Sequence, residues 1–137
     1  MCDWLFSGVF ERFPDLRITY AEGQIGWIPY ILERADTVWQ EHRAWAGTQE
    51  LVPEPPSTYY YRQIYGCFFR DRHGIESIDV VGPDNVTFET DYPHQDSTWP
   101  HSREAAATQF GHLDQDIVNN IARNNGIKLL GLALPLA

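Results

Sequence analysis

The stretch Glu89-Thr90-Asp91-Tyr92-Pro93-His94-Gln95-Asp96-Ser97-Thr98-Trp99-Pro100-His101-Ser102 gathers three carboxylates, two histidines and two prolines. It follows Val86-Thr87-Phe88, and the alternation predicts a strand over residues 86–91 with Thr87, Glu89 and Asp91 on one face. Pro93 has no N–H to give a ladder, so the strand should end just before it. An aspartate at a strand's carboxyl end, followed by a stiffened loop with histidine, suits a metal ligand or a proton-transfer site. The same residues also suit a turn-capping aspartate and two solvated loop histidines.

Upstream of this stretch the chain alternates helical and strand patterns. Leu5, Val9 and Phe13 predict a helix over residues 3–13, stopped by Pro14-Asp15. Residues 16–22 alternate like a strand and run into Gly23. Ile25, Ile28, Leu32, Ala35, Trp39 and His42 then follow helical steps of three and four, with Pro29 tolerable in the first turn. Residues 46–57, with Pro53, Pro55 and Pro56, predict a stiff loop, and residues 59–69 a second strand. Residues 70–81 predict a loop and a short helix capped by Asp71, and residues 82–85 a turn. After the polar loop, helices are expected over about 103–112 and 115–130, the latter capped by Asp114 and ended by Gly131.

Strands separated by helical crossovers build a parallel sheet, and chemistry in such folds gathers at the strands' carboxyl ends. Here those ends are Ala21-Glu22-Gly23, Phe69-Arg70-Asp71 and Thr90-Asp91-Tyr92. Three strands alone neither close a barrel nor make a full doubly wound sheet.

The 137 residues carry ten Lys+Arg against nineteen Asp+Glu, a formal charge of −9, and Lys128 is the single lysine. That balance argues against nucleic-acid partners and against anionic membranes. Cys2 and Cys67 lack metal or redox spacing and a disulfide framework, so a cytoplasmic location is expected. No basic-then-apolar leader opens the sequence. Ser97 and Ser102 sit near His101, but no Gly-x-Ser-x-Gly elbow surrounds them.

The string Glu89–His101 resembles the last-strand signature of the metal-dependent amidohydrolase-related family, which includes decarboxylases of the aminocarboxymuconate-semialdehyde type and is built on a TIM barrel. Four other stretches agree in order and spacing: residues 9–17, residues 22–29, Tyr65-Gly66-Cys67-Phe68-Phe69, and residues 125–132. The resemblance covers nearly the whole chain.

It implies an α/β fold, a partial (β/α)8 barrel comprising strands six to eight with their helices, in which residues 1–137 form one incomplete domain. A complete barrel needs about 250 residues, so a truncated chain is the expectation. Asp91 would match the strand-eight aspartate that ligates a divalent metal, zinc in the first place, or holds its water. His94 and Trp99 would face the substrate, a small organic acid or carbonyl compound. Glu22 stands where the decarboxylases carry a histidine. A carboxylate there can act as a general base or an outer ligand, but it cannot do a cationic histidine's work at neutral pH; it equally suits a structural carboxylate at a helix start. The family's His-x-His and its strand-five histidine have no counterpart, since the first histidine is His42. The expectation is therefore a hydrolase or decarboxylase in the intact protein, with weak metal binding and no turnover by this chain alone. The rival class is an inactive fragment or an acidic interaction domain, and exposed barrel edges would favour self-association.

Overall fold

Gly8 divides the first apolar segment. In the computed structural model, which describes residues 1–137, two short helices replace the single one expected: α1 (Cys2–Phe6) and α2 (Val9–Arg12). Gly8 sits between them at φ 70°, and a Cβ there would lie 2.8 Å from the Leu51 carbonyl oxygen. Only glycine combines that backbone with that approach.

After β1 (Ile18–Tyr20), helix α3 spans Ile28–Ala46, with its proline in the first turn and Gly47 closing it at φ 70°. The buried residues Ile28, Leu32, Ala35 and Trp39 form the helical stripe read from the sequence. The second strand is a correction. Pro56–Gln63 is helix α4, and β2 is confined to Ile64–Phe68. Pro56 pre-sets the first helical turn, and Tyr59, Tyr60 and Gln63 bury one side at helical spacing. The β-favouring aromatics there are overridden by packing.

Helices α5 (Arg72–Glu76) and α6 (Ile78–Val81) and a 3-10 turn (Pro83–Asn85) lead to β3, Val86–Phe88. Asp71 caps α5 as expected, accepting from the Gly74 N–H. The third strand is shorter than its alternation suggested. Its ladder ends with Glu89 N–H donating to the Phe68 carbonyl at 2.9 Å, and Asp91 lies beyond it.

Helix α7 covers Ser102–Phe110, and the final helical run is α8 (Gln115–Asn119), a π turn (Asn120–Asn124) and α9 (Asn125–Leu130). Asp114 takes the cap position of α8 without a side-chain cap bond, whereas Gly131 ends α9 at φ 62° as expected. No helix is long and apolar enough to cross a membrane.

The chain forms two compact units, one of residues 1–18 with 27–64 and one of residues 19–26 with 65–137. In the first, α3 and α4 pack together over Leu5, Phe10, Leu32, Trp39, Val52, Tyr59 and Tyr60, all buried. The Trp39 indole donates to the Val52 carbonyl at 2.7 Å, and Tyr59 donates to Glu11 Oε2 at 2.9 Å.

The second unit contains nearly all of a three-stranded sheet in the order β1-β2-β3. Strands β2 and β3 are parallel, with Gly66 opposite Val86 and Phe68 opposite Phe88. Phe68, Phe88 and Phe110 form a ring cluster with centroids 5.4 to 5.8 Å apart. This cluster anchors α7 over the sheet and so fixes both ends of the residue 89–101 loop.

Candidate active site

Three backbone positions outside glycine take left-handed φ: Glu22 at 57°, Gln24 at 54° and Asp91 at 56°. All three belong to turns leaving strand ends. Asp tolerates this region through its short polar side chain, while Glu and Gln bear a steric cost of about 1 kcal/mol each. Such residues persist only where neighbours over-determine them, and they cluster at functional sites. One neighbour is Glu89, whose Oε1 accepts the Glu22 N–H at 2.7 Å.

The turns bring three donor side chains together. One ligand atom each from Glu22, Asp91 and His94 lies within 4.8 Å of the others. Within this group His94 Nδ1 is 2.7 Å from Asp91 Oδ2, and the His94 N–H donates to the Asp91 carbonyl at 2.8 Å. That contact holds the imidazole charge well: the hydrogen bond and the Coulomb attraction of Asp91 raise the His94 pKa, with Glu22 and Asp96 adding to the shift. The Asp91 side chain is 13% exposed and His94 60% exposed, so the cluster opens to solvent on its histidine side.

The loop that carries His94 is tied back on itself. The Thr98 N–H donates to the Thr90 carbonyl at 3.0 Å and Ser97 Oγ to the same carbonyl at 2.8 Å. Tyr92–Pro93 and Trp99–Pro100 are cis. Arg70, at the end of β2, donates to the Ser97 carbonyl at 3.2 Å.

The four residues singled out from the sequence thus divide. Glu22, Asp91 and His94 converge, although Asp91 gets there through a left-handed turn rather than as the last residue of a strand face. Trp99 sits apart in character, 61% exposed, with its ring against Tyr92 at 5.1 Å. Glu89 was placed on the strand face by its alternation, but its hold on the Glu22 backbone has no signal in the sequence, because it joins residues 67 apart.

The sequence model of the Amidohydrolase family matches residues 1–132. This chain belongs to the Amidohydrolase family. Among solved structures, the chain is similar to a 5-carboxyvanillate decarboxylase from Sphingomonas paucimobilis at 24% identity and TM-score 0.72, over 93% of this chain and 37% of that one. It is similar to an amidohydrolase from Mycobacterium avium subsp. paratuberculosis K-10 at 23% identity and TM-score 0.76, covering 95% and 32%. A third is a dihydroxybenzoic acid decarboxylase from Polaromonas sp. JS666 with bound manganese and the inhibitor 2-nitroresorcinol, at 22% identity and TM-score 0.70, covering 98% and 39%. At these identities the likeness establishes the fold: an amidohydrolase α/β architecture with a parallel sheet. The chain spans 32% to 39% of the length of these structures.

The donor set fits a divalent cation. Two carboxylates and an imidazole make the mixed oxygen and nitrogen environment that zinc and manganese accept. Donors on one ion with bonds of about 2.1 Å lie at most about 4.2 Å apart, and the three ligand atoms here lie within 4.8 Å of one another.

Proposed function

We propose that this amidohydrolase chain supplies strands six to eight of a (β/α)8 barrel and part of a divalent-metal centre that acts on a small organic acid or carbonyl compound by hydrolysis or decarboxylation. The observation that carries this reading is the convergence of Glu22, Asp91 and His94 at strand ends, in a chain whose family is established. Asp91 and Glu22 would hold the cation, zinc or manganese, with His94 beside them. When bound, such an ion acts as a Lewis acid and lowers the pKa of a coordinated water to about 7.

The chain's own residues have separate tasks. Asp91 Oδ2 orients the His94 ring by accepting a hydrogen bond from Nδ1–H, which leaves Nε2 to present a lone pair or, when protonated, a proton. Neutral His94 would be a third donor to the ion through Nε2, whereas charged His94 would leave the ion to the carboxylates and pair with a substrate carboxylate. The Glu22 carboxylate would serve either as an outer ligand or, where it stays off the ion, as a general base. It cannot replace a cationic histidine, which favours proton abstraction from water over protonation of substrate.

Calorimetric titration of manganese or zinc into the wild-type chain and Asp91→Asn tests the reading. Weak binding by the wild type that falls at least about tenfold in the variant is expected, because one of few ligands loses its charge. Equal binding by the two proteins would overturn the assignment of Asp91. No binding by either would overturn the metal reading of this cluster.

A further inference from the structure

We propose that Asp71 is a positioning residue for this site, its carboxylate holding the residue 21–26 turn so that Glu22 faces Asp91 and His94. The inference rests on the reading of Glu22, Asp91 and His94 as one site.

Asp71 follows β2, where the sequence marks both a strand end and the cap of α5. It performs that task with one oxygen, Oδ1 accepting from the Gly74 N–H at 2.8 Å. Its other oxygen does something a helix does not require. Oδ2 accepts from two successive N–H groups of the β1 turn, Ile25 at 2.7 Å and Gly26 at 2.6 Å. The Asp71 backbone is fixed in turn, its N–H donating to Gln109 Oε1 of α7 at 2.7 Å, while Gln109 Nε2 donates to the Phe69 carbonyl. One carboxylate therefore ties the turn after β1 to the segment after β2, and Gln109 ties that segment to the helix that closes the loop after β3.

The turn is built to receive it. A Cβ on Gly26 would lie 2.8 Å from Asp71 Oδ1 and 3.2 Å from Oδ2. A Cβ on Gly74 would lie 2.3 Å from Ile25 Cγ1, and Ile25 is fully buried. The left-handed residues Glu22 and Gln24 stand between two anchors, Glu89 on the Glu22 N–H and Asp71 on the next two N–H groups after Gln24. Charge-assisted bonds of this kind are stronger than neutral ones, and they hold a backbone that long side chains otherwise avoid.

The test uses the metal-free full chain and two variants. Asp71→Ser keeps a good helix cap but is too short to reach Ile25 and Gly26. Gly26→Ala leaves Asp71 in place and displaces its carboxylate from the turn. In the wild type, nuclear Overhauser contacts between the Glu22 γ-protons and the His94 ring, and slow exchange of the Ile25 and Gly26 amides, are expected. Both variants should lose the Glu22–His94 contact and exchange those amides about tenfold faster, with manganese affinity reduced about tenfold. A variant that folds and retains the contact would overturn the proposal, and if Asp71→Ser fails to fold, Gly26→Ala decides alone. Contacts that behave as expected in a wild type that binds no manganese would overturn the metal reading and leave the positioning role standing.

Discussion

His94 Nδ1 lies 2.7 Å from Asp91 Oδ2, three residues apart in a turn that Asp91 enters at φ 56°. The pair shares one proton economy: the carboxylate raises the His94 pKa above its ordinary value of 6.5. Asp91→Asn should bring the His94 titration back towards that value, read by the ring-proton shifts. In the wild type, while Asp91 is ionised, the stabilisation from this pair is present below pH 6.5 and is lost as pH rises through the raised folded value. Metal binding runs the other way. A protonated imidazole is no ligand, so manganese affinity should increase as pH rises through the His94 titration. An affinity independent of pH over that range would remove His94 from the donor set.

Cys67 and Cys2 should differ sharply in reactivity. Cys67 is buried on β2, and burial, with the neighbouring Glu89 carboxylate, pushes its thiol up to about 12. Cys2 is exposed. Because the thiolate is the reactive form, an aromatic disulfide reagent should label one thiol quickly in the native chain and both in denaturant. Rapid labelling of both under native conditions would contradict the buried strand.

Asn125 should matter to stability beyond its size. It is fully buried, and its Nδ2 donates to the Pro83 and Val86 carbonyls, each at 2.8 Å. These bonds fix the entry of β3 and hence the start of the segment that carries Glu89 and Asp91. Asn125→Ala removes both donors and leaves the two carbonyls without these bonds, so a loss of about 2–3 kcal/mol is expected. Urea unfolding would measure it, and a loss under about 0.5 kcal/mol would show that water replaces the amide.

Strands β1 and β3 are the outer strands of the sheet, and unpaired edges beside apolar side chains promote association. Size-exclusion chromatography of the isolated chain is expected to show oligomers in spite of the −9 charge. A sharp monomer peak with cooperative melting would count against open edges.

Features of this protein that depend on local pattern are readable from the chain alone. The stripe Ile28, Leu32, Ala35, Trp39 dictated α3, because burial at helical spacing leaves one face no alternative. Asp71 and Gly131 marked helix ends through capping and left-handed φ, which are properties of single residues. The string from Glu89 to His101 identified the family and pointed to Asp91 and His94. Where long-range packing competed with propensity, the pattern misled: Tyr59 and Tyr60 look like strand residues, yet Pro56 and the burial of Gln63 make that segment α4. The alternation that carried Asp91 to the end of a strand face ended instead at Phe88. That Asp91 turns out of the strand to meet His94 and Glu22 follows from long-range packing. The bonds that place Glu22 come from Glu89, 67 residues away, and those that hold the turn after it come from Asp71, 46 residues from Ile25. A hydrogen bond across such a separation leaves no periodicity in the chain, since its partners are chosen by the sheet that brings strand ends side by side.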